Sequence, residues 1–570
     1  MSQLINMNEL VLYGLGGAAL FAGLLRVKNR AELSLAKHRS LAGHPRNARR
    51  LASILPRYSY DEAHAFGVDG ALEEVVTLRK KAFDSLITQF QTRYSKSLQE
   101  TADVVNGLSD LQFISAYRTP FQFSKITGKG LKIASFVQST SGVTITDLDD
   151  NQFFDLTGSY GVNVFGNDFY KDCIDRGADL VRQLGPVLGS YHPVVAENVA
   201  RLKQISGMDE VSFHMSGTEA VMQAVRLARY HSRRNKVLRF CGSYHGWWGD
   251  VQPGIGNPVT EKDTFTLSEM SDATLRVLRN RNDLACVLVN PLQALHPNVA
   301  APGDSSLLDS SRKAGFSRDA YTDWLHELRK ICDKKNIALI FDEVFVGFRL
   351  APGGAQEYFG VRADMVTYGK TLGGGLPVGV VCGKATWMKR FSENAPGDIC
   401  FARGTFNSHP YVMGAMNIFL KSLETSSIKD LYIDLDTTWN RRAQDLNQRM
   451  KEAGIPVQVA NLSSIWTVFY TQPACYNWLF QYYLRLEGLA LSWVGTGRIV
   501  FSLNYTQNDF DNVARLFVRA AQNMQRDGWW WSDPSLTNKS IKRRILREML
   551  REKARKLTPA GLISSIHYQA

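Results

Sequence analysis

The sequence predicts an α/β protein with a mostly parallel central sheet in a large domain and a smaller α+β domain beside it. Three observations carry this reading. The chain has 570 residues, 44% hydrophobic and 21% charged, so it folds, and it is too long for one ordinary core. Short apolar runs at 237–241, 285–290, 337–341, 365–368 and 378–382 alternate with helical patterns such as 219–231 and 321–335. The runs are continuously apolar rather than alternating, as strands covered on both faces are.

The elements follow in order. Residues 1–30 read as a membrane anchor with a basic rim, spanning the bilayer or lying on it, in preference to a buried core helix. Residues 10–25 hold no charge and no proline. As a helix they reach about 24 Å, short of a hydrocarbon core of about 30 Å, so spanning needs snorkelling flanks or a thinned bilayer. Arg26, Lys28 and Arg30 follow the run and Glu9 precedes it. That order argues against a cleaved signal peptide and places the C-terminal side in the cytoplasm. Residues 31–114 are polar and helical in pattern. Residues 115–200 form the first part of a small domain, with a hairpin at 144–156 turning at Asp149-Asp150-Asn151. Residues 201–429 are the large domain, 430–530 the C-terminal small domain, and 531–570 a basic amphipathic tail.

Charge is concentrated at the ends. The chain carries +13, with residues 26–57 at +8 and residues 539–556 at +7. The flanks hold more than the whole excess, so the body between them is close to neutral. This weakens a nucleic-acid platform, which needs a basic face on the folded core. In the tail, Ile541, Ile545 and Met549 recur at helical spacing beside Leu546 and Leu550. Such a helix lies on anionic lipid or docks on the core by its apolar stripe. Trp529, Trp530 and Trp531 just before it favour the lipid interface. The seven scattered cysteines show no metal-ligand spacing and read as reduced, buried thiols.

Three segments carry chemistry. Ser216-Gly217-Thr218-Glu219 opens a helix, where free N–H groups and hydroxyls make an anion site. Asp342 follows the apolar run 337–341, at the strand end where open α/β sheets place ligands. Lys370 lies after another such run and is followed by Gly373-Gly374-Gly375. A lysine there forms a Schiff base if its surroundings lower its pKa, and the glycines let backbone approach a ligand closely.

The ordered strings SGTEA, SYHG, FDEVFVGFR and YGKTLGGGLPVG resemble the class III, fold-type I, pyridoxal-phosphate-dependent aminotransferases. Within that group the chain is most similar to glutamate-1-semialdehyde aminomutase and to the aminotransferase domains of polyketide and peptide synthases. The resemblance covers residues 115–525 and is silent on both flanks. It implies that Lys370 forms the internal aldimine with the cofactor and moves the proton, and that Asp342 binds the pyridine nitrogen. It implies further that Ser216, Gly217 and Thr218 hold the phosphate. By the same resemblance Tyr244 would stack on the ring with His245 beside it, and Val344 would pack on the opposite face. Gln293 matches a family Gln near the phenolic oxygen. Thr405 reaches the phosphate of a neighbouring subunit, which implies a homodimer with shared sites.

Departures bear on the substrate. Asn290 stands where the family usually has Glu, and Ala294 where it often has Gly. Gln122 aligns with the arginine that grips the substrate carboxylate in the aminomutase, so that clamp is missing. Arg498 matches an arginine for the donor's α-carboxylate, and Tyr160 is a further substrate-side candidate. The expectation is a membrane-anchored aminotransferase with its catalytic domain in the cytoplasm. It takes an amino-acid donor and an apolar aldehyde, ketone or acyl-derived acceptor. The alternatives are an intramolecular aminomutase and a non-catalytic membrane scaffold. No metal and no nucleic acid are expected.

Overall fold

The computed structural model describes residues 7–39, 41–252, 254–291, 308–491 and 497–556. Strands β1 (Val137–Ser141), β2 (Thr144–Asp147) and β3 (Gln152–Asp155) form an antiparallel meander. Its second turn falls on the expected Asp149-Asp150-Asn151. Seven strands then build the central sheet: β4 (Glu210–His214), β5 (Lys236–Phe240), β6 (Thr264–Leu267), β7 (Leu284–Val289), β8 (Ala338–Asp342), β9 (Met365–Gly369) and β10 (Gly379–Gly383). The strand order is β4-β10-β9-β8-β7-β5-β6. The β9-β8-β7-β5-β6 part is parallel. Strand β10 runs antiparallel between β4 and β9. Every residue of β7, β8, β9 and β10 is buried, which explains their continuous apolar runs. Strands β11 (Val457–Leu462), β12 (Ile465–Tyr470) and β14 (Arg498–Val500) make a smaller antiparallel sheet, and β13 (Leu489–Ala490) pairs in parallel with β3. Residues distant in sequence thus share one sheet.

The helices used below are α1 (Met7–Ala36), α2 (Gly217–Ser232), α3 (Asp272–Asn280), α4 (Arg318–Lys335), α5 (Gln507–Arg526) and α6 (Asn538–Lys556). Helix α4 starts at Ser317, whose side chain accepts from Ala320 N–H. Helix α5 starts with a reciprocal capping box between Thr506 and Asp509. Arg349 ties the layers together. Its buried guanidinium donates to Asn163 O at 2.8 Å, Ser464 Oγ at 3.0 Å and Phe501 O at 2.5 Å.

The flanks depart from the sequence reading. Helix α1 does not stop at residue 30 but continues through Arg26, Lys28, Arg30 and Glu32 to Ala36. There Ala36 is buried, its carbonyl accepts from Ser268 N–H, and Glu32 accepts from Asn280 of α3. Among the described residues no helix is long and apolar enough to cross a membrane. A spanning anchor is therefore not what this helix supplies. Trp529 and Trp530, before α6, are not interfacial either. Trp529 and Trp530 are buried, and their indole N–H groups donate to Tyr483 Oη and Asn477 Oδ1. All seven cysteines are buried and none forms a disulfide, as expected of reduced thiols, and no metal-binding cluster occurs among the described residues.

Candidate active site

A cavity of about 860 Å³ opens at the C-terminal edge of the parallel strands. Strand β8 delivers Asp342 to its floor, and the turn after β9 delivers Lys370 to its wall. The N-terminus of α2 closes one end. Ser216 caps that helix by accepting from Glu219 N–H at 3.3 Å, which leaves the N–H groups of Gly217 and Thr218 without intrahelical acceptors. These point a positive dipole end into the cavity and suit a phosphate. Gly217 is required sterically: a Cβ there would lie 2.7 Å from Val344 Cγ1. A Cβ on Gly379 would collide with the Ser216 carbonyl.

The buried carboxylate is oriented by several groups. His245 Nδ1 lies 2.8 Å from Asp342 Oδ2. Val344 N–H and Thr367 Oγ1 donate to Asp342 Oδ1 at 3.2 and 3.3 Å. Burial holds the His245 imidazole below its ordinary pKa, against the pull of Asp342. An acid aimed into a cavity from this depth suits a ring N–H that carries positive charge. Burial likewise depresses the Lys370 amine, opposed by Asp342, which raises the fraction of neutral, nucleophilic amine. Lys370 and Tyr160 both hold left-handed backbone, at φ 48° and 56°, a cost of about 1–3 kcal/mol each that the surrounding packing sustains.

Phe345 lies between two cations. Lys370 Nζ is 5.7 Å and Arg498 Cζ 6.0 Å from its ring centroid. Arg498 is lowered to about 10, first by burial and then by Arg312. It is the one arginine among the described cavity residues. Much of the remaining wall is apolar, with Met215, Leu376, Pro377, Val378 and Val500.

The sequence candidates fall into four groups. Ser216, Gly217, Thr218, Tyr244, His245, Asp342, Val344, Lys370, Arg498 and Tyr160 all line the cavity. Asn290 lines it as well, and its amide donates to the Tyr244 carbonyl at 3.1 Å. Thr405 is exposed and does not line the cavity of its own chain. Gln293 and Ala294 lie outside the described residues. Gln122 is a correction: it is buried away from the cavity. Its neighbours Phe121 and Phe123 pack against Tyr58 and Tyr60, and that aromatic packing draws Gln122 inside. Sequence reasoning missed Phe345 and Thr157. It also missed Tyr170, whose hydroxyl lies 2.5 Å from Thr371 Oγ1 just after the lysine. Phe345 sits within the quoted FDEVFVGFR string, so its proximity to Asp342 was the available signal.

The family model for class III aminotransferases matches residues 127–520. A glutamate-1-semialdehyde 2,1-aminomutase from Methanococcus maripaludis is 32% identical over 59% of this chain and 76% of its own length. A solved transaminase with pyridoxal phosphate bound is 25% identical, covers 70% of this chain and 92% of its own, and superposes with a TM-score of 0.58. A glutamate-1-semialdehyde aminomutase from Pseudomonas aeruginosa shares the fold at 18% identity and a TM-score of 0.62, over 79% of this chain and 99% of its own.

Proposed function

The chain belongs to the class III aminotransferases, and from that premise we propose that it moves an amino group from an amino-acid donor to an apolar carbonyl acceptor. Pyridoxal phosphate is the cofactor of this enzyme class. When bound, it supplies an electron sink for the carbanion formed at the donor's Cα. The chain's own residues do the rest. Gly217 and Thr218 N–H groups and the Ser216 and Thr218 hydroxyls would hold the phosphate. Asp342, steadied by His245 and Thr367, would hold the pyridine N–H and keep its proton in place. Lys370 would hold the cofactor through its carbonyl carbon, and once the donor's amine had displaced it, the freed Lys370 amine would take a proton from the donor's Cα and return it one atom away. Arg498 would grip the donor carboxylate.

The observation that carries the reading is a depressed lysine facing a buried, histidine-backed carboxylate across a mostly apolar cavity with one arginine. One arginine suits one carboxylate at a time, and the apolar wall suits an aldehyde, ketone or acyl-derived acceptor. The test is a half-reaction. A donor amino acid given to the cofactor-loaded protein should release its keto acid into solution. Turnover confined to small dicarboxylic keto acids would defeat the apolar acceptor. A second reading, an intramolecular aminomutase, is favoured by the names of the curated relatives, and it predicts no free keto acid.

Enzymes of this family are commonly dimeric. A homodimer with Thr405 completing the partner's phosphate site is supported by large exposed apolar groups on flanking segments, including Trp247, Phe401 and Phe406. Helix α1 supports a place on a membrane surface: Leu20, Phe21, Leu24 and Val27 are exposed beside Arg26 and Lys28. Deleting residues 7–30 should weaken binding to membranes.

A further inference from the structure

We propose that the outward face of α6 is a second, independent lipid-contacting surface that seats the protein on an anionic bilayer. The helix has two unlike faces. Inward, Ile541 is fully buried and Ile545 packs against the core. Glu548 Oε2 accepts from the hydroxyls of Tyr58 and Tyr60, both at 2.7 Å. Arg544 pairs with Glu548 at 3.5 Å and donates to Cys475 Sγ. The helix is thus held rigidly along residues 58–60.

Outward, Arg543, Leu546, Arg547, Leu550 and Arg551 are all exposed, at spacings of three and four that make one stripe. The two leucines are 49% and 53% exposed. The two acids of the helix, Glu548 and Glu552, are not on this stripe; both are only partly accessible. Arg543, Arg547 and Arg551 have no ion-pair partner among the described residues. Beside them lies a shallow depression of about 330 Å³ lined by Asn538, Lys539, Lys542, Arg543 and Leu546.

A helix face meant only for water gains nothing from leucines, and three neighbouring arginines repel one another. Both costs reverse at an anionic lipid surface. Guanidiniums reach headgroup phosphates while leucines enter the acyl boundary. A nucleic acid would use the arginines but leave the leucines wet. Because the helix is already docked, binding requires no folding of it. This inference rests on α6 alone and stands or falls apart from the catalytic reading.

The test uses the full chain loaded with pyridoxal phosphate. It is sedimented with vesicles of phosphatidylcholine, or of equal parts phosphatidylcholine and phosphatidylglycerol. The expected result is at least about tenfold tighter binding to the anionic vesicles. The triple variant R543E/R547E/R551E should lose most of that preference, the remainder being carried by α1, and keep the cofactor's absorbance, which reports an intact fold. The variant L546S/L550S should weaken the binding that survives high salt. An anionic preference unchanged in the triple variant would overturn the proposal. So would tighter retention on duplex DNA or on an acidic protein than on the vesicles.

Discussion

Arg349 and Arg547 have the same side chain and opposite jobs. Arg349 is wholly buried and donates to three oxygens from three segments. Arg547 sits exposed on α6, beside Leu546 and Leu550. Buried charges of the body, such as Arg349 and Asp342, sit in defined geometries; the flanks spread many charges over exposed faces. Chemistry and architecture therefore depend on single residues in the body, whereas attachment depends on the sum over a face. Substitutions should separate the two regimes.

The largest effect is expected at the reacting amine. Lys370→Ala should lower amino transfer by about 10³-fold or more, because in the proposed mechanism it removes the proton carrier and the covalent tether together. Single-turnover kinetics measure this, and a change under tenfold would remove Lys370 from the reaction. Next comes the architectural arginine. Arg349→Ala should cost about 3 kcal/mol in a denaturant titration, since it strands buried acceptors and leaves a void. Arg547→Ala should stay within about 0.5 kcal/mol. Equal costs would erase the contrast between body and flank.

A smaller effect is expected at the substrate. Arg498→Ala should raise KM for an amino-acid donor by about 10–100-fold and spare a simple amine lacking a carboxylate. A parallel loss for both donors would make Arg498 structural. The smallest effect is in pH dependence. Burial pushes Glu343 and Glu269 up to about 8, although Ala355 and Gln356 N–H groups donate to Glu343. Both acids bind protons more tightly folded than unfolded. Their contribution is full below about pH 4.5 and is lost as pH rises through about 8. Melting temperature should fall across that window, and Glu343→Gln should flatten the slope. An unchanged slope would mean that Glu343 is ionised throughout.

Much of the body was legible in the sequence. Continuous apolar runs mark strands covered on both faces, and all five runs are strands. Strands β4 and β6 escaped notice because β4 mixes buried and exposed residues and β6 is only four residues long. The antiparallel course of β10 is equally unreadable, since a fully buried strand has the same composition in either direction. The placement of Lys370, Asp342 and Ser216 around one cavity was legible because each sits at a strand or helix end, where open α/β sheets place ligands. Gln122 was not, because aromatic packing from Tyr58 and Tyr60, far away in sequence, decides where it points. The flanks were legible as charge but not as contacts. Nothing local to Trp529 tells that Tyr483 accepts its N–H, and nothing local to Glu548 tells that two tyrosines bind it.

The central claim is that amino transfer here runs between two molecules. The direct measurement gives the cofactor-loaded protein a ¹⁵N-labelled amino-acid donor and an apolar aldehyde, and follows the label by mass spectrometry. The account predicts ¹⁵N in the amine formed from the aldehyde and one equivalent of the donor's keto acid. Label retained in the donor skeleton, with no keto acid released, would contradict it.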